Sequence, residues 1–427
     1  MSLSPRFVAL QAPLRRWTAG VTALGVVAAG LLLAAPQSAA SNQGEQQRAS
    51  ARSAPAQETA HALIRTIPLG ANGLAASAGG GWSASTVDDT IYVTANNATL
   101  YRIDPITLAL AGSTNVGNYP LGIAVSRDDT VYVVNAGSDS MSVVVGATMT
   151  VNSTVTVPAE PQAVALSRRA VDDTVFISSK SFFSAAQRKI TTFNARTLGD
   201  RVDTLLPGSA EASPWGLAVS SDDSAYIASY GANTIFKFNS ATPAVSNAFT
   251  SAQGPIGVAL SSDDTVYFTR QVGNALTQFS AANPGISASL PVSNPQGVAV
   301  GPQGKVYVAG SQGGRGIITV VNSSAFTVDD TVAVGQAWSS IAVTQSGLAV
   351  AVDRNSHDYA VVVADVAPSL VTTSAFAGAT GSLTLGGLPA GVTVDDTTVK
   401  SVAFGDDTVV WTRSAGTNTF TGTIPPG

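Results

Sequence analysis

Sixteen of the 27 acidic residues stand in eight Asp-Asp pairs, beginning at Asp88, Asp128, Asp172, Asp222, Asp263, Asp329, Asp395 and Asp406. Paired carboxylates on loops could collect the several hard oxygens that calcium needs. None of the pairs, however, is followed by the spaced ligands and terminal Glu of a calcium loop. Aspartate is equally a turn former, because it bonds its own backbone and tolerates the left-handed region. Five pairs fall at one place in a repeated pattern, and a sixth copy carries Gln303-Gly304 there. Turn chemistry is the preferred reading and structural calcium the alternative; no other cofactor is expected. Turns repeated in register also predict that one face of the fold is acidic.

The two histidines are His61 and His357. His357 lies in the polar stretch RNSHDYA between Asp353 and Asp358, a grouping that could move protons. A catalytic histidine needs a positioned partner, so an exposed loop residue is the simpler reading. The chain has no Ser-His-Asp elbow, phosphate loop, HExxH helix or dinucleotide fingerprint. With no cysteine, disulfides, thiolate catalysis, cysteine zinc sites and a lipoprotein anchor are all excluded. No catalytic residue is assigned on these grounds.

The elements that carry these residues come from a repeat. Pro-x-Gly, an apolar run, Ser, Asp-Asp-Thr and a Tyr-bearing strand recur as YPLGIAVSRDDTVYVVN from Tyr119, EPQAVALSRRAVDDTVFISS from Glu160 and SPWGLAVSSDDSAYIAS from Ser213. They return as GPIGVALSSDDTVYFTR from Gly254 and NPQGVAVGPQGKVYVAG from Asn294, with degenerate copies from Ala71 and Ala337. Each copy reads as four short, alternating strands; in the fourth these are 216–220, 224–229, 234–239 and 248–251. Four strands in about 40 residues, repeated, predict an all-β chain forming a seven-bladed β-propeller of four-stranded blades over residues 61–376. The segment 61–68 (HALIRTIP) is expected to pair with the last blade and close the ring, removing exposed sheet edges.

In such a ring the fourth-to-first and second-to-third loops share the face opposite the Asp-Asp turns. Register brings there Trp215, Trp338, Asn135, Arg270, Glu160, Asp353 and His357, with Lys180, Tyr230, Glu211 and Gln296 nearby. Aromatics among polar groups at a concave mouth suit a glycan or a peptide. The two tryptophans could also simply pack over the start of the first strands, the preferred reading, since Trp is usually largely buried.

Arg6, Arg15 and Arg16, the apolar run from Thr18 to Ala35 and the small residues Ser38-Ala39-Ala40 have the layout of an export signal over 1–40. Residues 41–60 read as a flexible linker. An uncleaved anchor is the alternative, because the apolar run approaches the length that spans a bilayer. Beyond residue 40 the chain carries 19 basic and 27 acidic residues, which argues against nucleic acid. Only 11% of residues are charged, so Ser, Thr, Asn and Gly must solvate the surface.

Tyr92-Val93-Thr94-Ala95 and Tyr132-Val133-Val134-Asn135 resemble the YVTN-type, NHL-like β-propeller repeats of bacterial secreted and surface proteins. That resemblance covers roughly residues 61–376, implies extracellular binding or display, and brings no consensus catalytic residues. The sequence departs from it where Ser-x-Asp-Asp replaces the usual Ser-Pro-Asp-Gly turn. Residues 377–427 read either as part of an immunoglobulin-like module resembling the IPT/TIG type or as a partial further repeat. The expected function is that of a secreted or surface-held monomeric, non-catalytic module binding an extracellular glycan or protein, with no membrane span once the signal is removed. The alternative is an enzyme resembling lactonase- or lyase-type propellers, with Glu160, Glu211, Asn135, Asp353 and His357 as its polar or metal site.

Overall fold

A computed structural model of the chain describes residues 60–69, 81–87, 89–95, 97–168, 174–180, 188–208, 213–250, 252–335 and 340–352. It also describes strands 359–372, 380–386, 398–404, 407–413 and 419–423. The export signal, nearly all of the linker, and Trp338, Asp353, His357 and Glu211 lie outside the described residues. No helix among those described is long and apolar enough to cross a membrane.

Six four-stranded antiparallel sheets follow one another along the chain, each a simple meander. They are blades 1 to 6, with inner strands Gly81–Val87, Pro120–Val125, Pro161–Leu166, Pro214–Val219, Pro255–Leu260 and Val298–Val300. Blade 4 is typical: Pro214–Val219, Ser224–Ser229, Thr234–Asn239 and Ala244–Thr250 in spatial order.

The expected seven four-stranded blades are thus corrected to six. The last repeat does not stand as a separate four-stranded sheet. Its outermost segment is one 14-residue strand, Tyr359–Thr372, that runs on past the blade boundary. The first part of that strand pairs with Ala349–Val352 on one side and with Ala60–Pro68 on the other; the second part pairs with Thr380–Gly386. Thr419–Thr423, Asp407–Arg413 and Thr398–Phe404 extend the same sheet to eight strands. Repeat markers locate inner strands, whereas the end of an outer one is marked only by its turn, and Asp365 and Pro368 within YAVVVADVAPSLVT do not end this strand. The inner strand of this large sheet, Ser340–Val343, packs against the inner strands of blades 1 and 6, so the ring closes through it.

The strands also depart from uniform alternation. Second strands such as Thr130–Asn135 (TVYVVN) are buried on both faces, while outer strands such as Thr150–Thr156 alternate between exposed and half-buried. A second strand is covered by both neighbouring blades, and strands covered on both faces read as continuous apolar runs. The core therefore lies between blades. Phe176 and Ile190 of blade 3 meet Leu217, Ile227 and Phe238 of blade 4, and Tyr226 of blade 4 meets Phe268 and Phe279 of blade 5.

The paired aspartates divide two tasks. The first caps its own turn: the Ser220 hydroxyl donates to Asp222 Oδ1 at 2.5 Å, and Ser126 and Ser261 donate likewise to Asp128 and Asp263. The second is left-handed, with φ of 65°, 61°, 59° and 59° at Asp89, Asp129, Asp223 and Asp264, and Gln303 matches them at 57°. Its carboxylate reaches a repeat that precedes it around the ring. Asp129 accepts from the Tyr92 hydroxyl at 2.5 Å, Asp223 from Ser167 Oγ at 2.6 Å, and Asp89 from the Ser346 amide at 2.8 Å. Asp264 accepts from the Ser221 amide at 2.9 Å and pairs with Arg168 at 3.3 Å, joining blades 3, 4 and 5. Among the described residues no three His, Cys, Asp or Glu side chains converge as a metal set.

These contacts set an acid limit on stability. The Ser126 and Ser261 hydroxyls hold the Asp128 and Asp263 carboxyls below the usual carboxylate range. Burial alone would raise Asp222, but Ser220, Ser224 and Lys237 outweigh it and hold it low. Groups that protonate less readily when folded contribute stability that is complete above their unfolded pKa and lost as pH falls through the lowered folded values. The urea midpoint is expected to be flat in these groups' contribution above about pH 5 and to fall steadily below about pH 4. A midpoint unchanged down to about pH 3 would contradict the capping role.

Candidate functional site at the channel mouth

The Pro-x-Gly signature builds the wall of the central channel. Pairing of inner and second strands slips at this point in blades 2 to 5: between Pro120 and Ile123, Pro161 and Ala163, Pro214 and Leu217, and Pro255 and Val258. A bulge re-aims the side chain it carries, and here the variable residue lines the channel. Leu121, Gln162, Trp215, Ile256, Gln296 and Ser340 surround a cavity of about 260 Å³. Register places Trp82 at the corresponding slip in blade 1.

Glycine follows because adjacent inner strands nearly touch. A Cβ on Gly216 would stand 2.4 Å from the Ile256 carbonyl oxygen, one on Gly257 2.6 Å from that of Gln296, and one on Gly122 2.7 Å from Ala163 Cα. Threonines of the second strands add a further tie. Thr94 donates to the Leu121 carbonyl at 3.2 Å, and Thr269 to the Gln296 carbonyl at 2.6 Å while accepting from the Gly257 amide at 2.8 Å.

The loops above this ring are locked by another repeated device. Asp139, Asn233 and Asn274, at the second-to-third turns, are left-handed, with φ of 47°, 50° and 45°. Each accepts through its side chain from an amide leading into the next blade, those of Glu160, Gly254 and Asn294, at 2.8, 2.8 and 2.9 Å. Each bond ties a turn to the entry of the next blade, and together they preorganise the mouth.

Trp215 is half-buried in the channel wall, and the Lys180 ammonium lies 3.8 Å from the centre of its ring. Lys180 is itself buried and does not line the cavity. A desolvated cation over an indole is worth about 2 kcal/mol, so this contact fixes the ring. Gln162 is only 7% exposed. Its Nε2 donates to the Glu160 carbonyl at 2.8 Å, which leaves Oε1 buried with no hydrogen-bond partner on a residue that lines the cavity.

The residues expected at the mouth separate as follows. Trp215 is in the channel. Glu160 is a left-handed linker residue (φ 51°) whose carbonyl receives both Gln162 and the Lys180 amide. Asn135 is wholly buried and donates to Ser140 and Ser142 Oγ at 3.2 and 3.0 Å. Arg270 turns outward along its own blade, to the Ala252 carbonyl, Gln253 and Ser289. Trp338, Asp353 and His357 are outside the described residues. Sequence reasoning missed Gln162, Leu121 and Ile256, although Leu121 and Ile256 occupy the variable position of Pro-x-Gly and Gln162 that of its Pro-x-Ala variant.

A streptogramin B lyase structure superposes with a TM-score of 0.58 at 12% identity, covering 71% of this chain and 98% of that one. A catalytically inactive histidine-to-alanine variant of Staphylococcus aureus virginiamycin B lyase with quinupristin gives 0.56 at 13%, covering 70% and 99%. Kuenenia stuttgartiensis hydrazine synthase gives 0.54 at 17%, covering 66% and 94%. The chain is a β-propeller. No protein-family model and no curated protein matches the sequence. At these identities the likeness is one of fold, and a propeller scaffold hosts many unrelated activities.

Proposed function

We propose that this propeller is an exported, non-catalytic binding module, released or held at the cell surface, that takes its ligand at the channel mouth. The observation that carries this reading is the half-buried Trp215, held by Lys180 in a wall of inner strands whose loops are already locked. A site fixed in advance loses little freedom when a ligand binds. The signal-like N-terminus supports export, and the resemblance to YVTN-type repeats supports extracellular display. The excess of acidic residues fits a partner other than nucleic acid.

The competing reading is a lyase- or lactonase-type enzyme. Among the described residues, no Asp, Glu, His, Lys or Arg lines the cavity, so general acid-base chemistry there would fall to residues such as Asp353 and His357. Two measurements separate the readings. Incubated with quinupristin and Mg²⁺ or Ca²⁺, the protein should leave the substrate mass and retention unchanged. In a thermal-shift panel of glycans and peptides, Trp215→Ala should abolish any ligand-induced rise seen with the parent chain while its own transition stays cooperative. Turnover of quinupristin, or rises retained by the folded variant, would contradict the proposal.

A further inference from the structure

Resting on the channel-mouth reading, we infer that the ligand is a single uncharged pyranose ring, the end group of a glycan, stacked on Trp215 and hydrogen-bonded to Gln162. Size limits the occupant first. The cavity of about 260 Å³ lies below the range of roughly 300–1,000 Å³ that accepts drug-sized ligands, so the part of a ligand seated inside it is about the size of one ring.

Polarity limits it next. The amide orientation of Gln162 is settled, because only its NH2 group can donate to the Glu160 carbonyl. Oε1 is therefore a buried acceptor without a partner, on a residue that lines the cavity. A buried acceptor left unmade is costly, and a ligand hydroxyl donating to it removes that cost. Gln296, across the ring, adds an amide that can both donate and accept, as vicinal hydroxyls do. Leu121, Ile256 and the indole of Trp215 give the remaining wall an apolar surface for the C–H face of a sugar.

Charge limits it last. Among the described residues the cavity wall holds no ionised side chain to pair a charged ligand. Lys180 already lies against the Trp215 ring. A cationic ligand stacked on the exposed part of that ring would face the Lys180 charge through it, so the cation recognition usual for tryptophan is disfavoured here.

The test is calorimetric and saturation-transfer NMR titration of the full chain with methyl glucopyranoside, methyl galactopyranoside and methyl mannopyranoside, alongside glucosamine and glucuronate. At least one neutral methyl glycoside should bind, with saturation transferred to its ring C–H protons, and glucosamine should bind at least about 5-fold more weakly. Gln162→Met, close in shape but without the acceptor, should weaken the neutral sugar by about 3- to 10-fold, the equivalent of one neutral hydrogen bond. Glucosamine or glucuronate binding better than every neutral glycoside would overturn the inference, as would a Gln162→Met variant of unchanged affinity. Should no sugar bind while a peptide from the thermal-shift panel binds in a Trp215-dependent way, the sugar assignment fails and the channel-mouth reading stands. Should nothing depend on Trp215, both fail.

Discussion

A chain beginning at residue 70 should melt roughly 3–7 °C below the full chain and should associate with itself. Ala60–Pro68 closes the eight-stranded sheet, pairing eight residues with Tyr359–Val366 across one register slip at Leu63/Arg65. Ile67 in this strand and Leu69 just after it are 2% and 4% exposed, and the strand packs against the outer strand of blade 6, Thr327–Gly335. Two apolar side chains at about 1.5–3 kcal/mol each amount to about 3–6 kcal/mol before any lost hydrogen bond is counted. Set against a melting entropy of about 2.1 cal/mol/K per residue, that shift is several degrees in a chain this long. The deletion also bares the edge of Tyr359–Thr372, and an unpaired edge is a template for another chain. Calorimetry and size-exclusion chromatography check both effects. A truncated monomer of unchanged melting temperature would show that the ring closes without this strand.

The second large effect is expected at Gly257. Its alanine variant places a methyl group 2.6 Å from the Gln296 carbonyl oxygen and 3.1 Å from Thr269 Oγ1 and the Val298 amide. The first of these is backbone, so relief requires the inner strand of blade 6 to move. Overpacking of this kind costs about 1–3 kcal/mol. The shift also displaces Gln296 from the cavity wall, so ligand binding at the mouth should weaken along with stability. Gly285→Ala on an outer strand is the control. There the nearest atom is Asn283 Oδ1 at 3.6 Å, and an effect within about 0.5 kcal/mol is expected. Equal losses in the two variants, measured by urea unfolding, would refute the close-approach account of the Pro-x-Gly signature.

The repeat made the propeller legible because each copy carries its own turn chemistry. Ser-x-Asp-Asp named a turn, and the left-handed second aspartate is what that pattern predicts. The cross-blade bond of the same residue was not legible, since Ser167, Tyr92 and Ser346 stand 56, 37 and 257 positions from their partners. The blade count failed where the pattern stopped carrying information: the last repeat lacks the proline and the ending turn, and Tyr359–Thr372 continues into a larger sheet.

Site residues were harder still. Strand ends placed Asn135 and Arg270 at the correct end of the ring, but which face a side chain takes turns on a single residue of register, and both point away from the channel. Gln162 was hidden for a different reason. It occupies the variable position, where no residue type recurs, and only the bulge beneath it reveals that this position is the lining. Trp215 stood out by its type alone.

Recognition at the channel mouth is tested by hydrogen exchange on the full chain, with and without a saturating neutral methyl glycoside. Added protection is expected in the amides of 119–122, 160–163, 213–217 and 254–258, which form the mouth, with none gained at 126–130, 220–224 and 261–265 on the Asp-Asp end. Protection confined to the Asp-Asp turns, or absent from the mouth, would place recognition elsewhere and contradict the account.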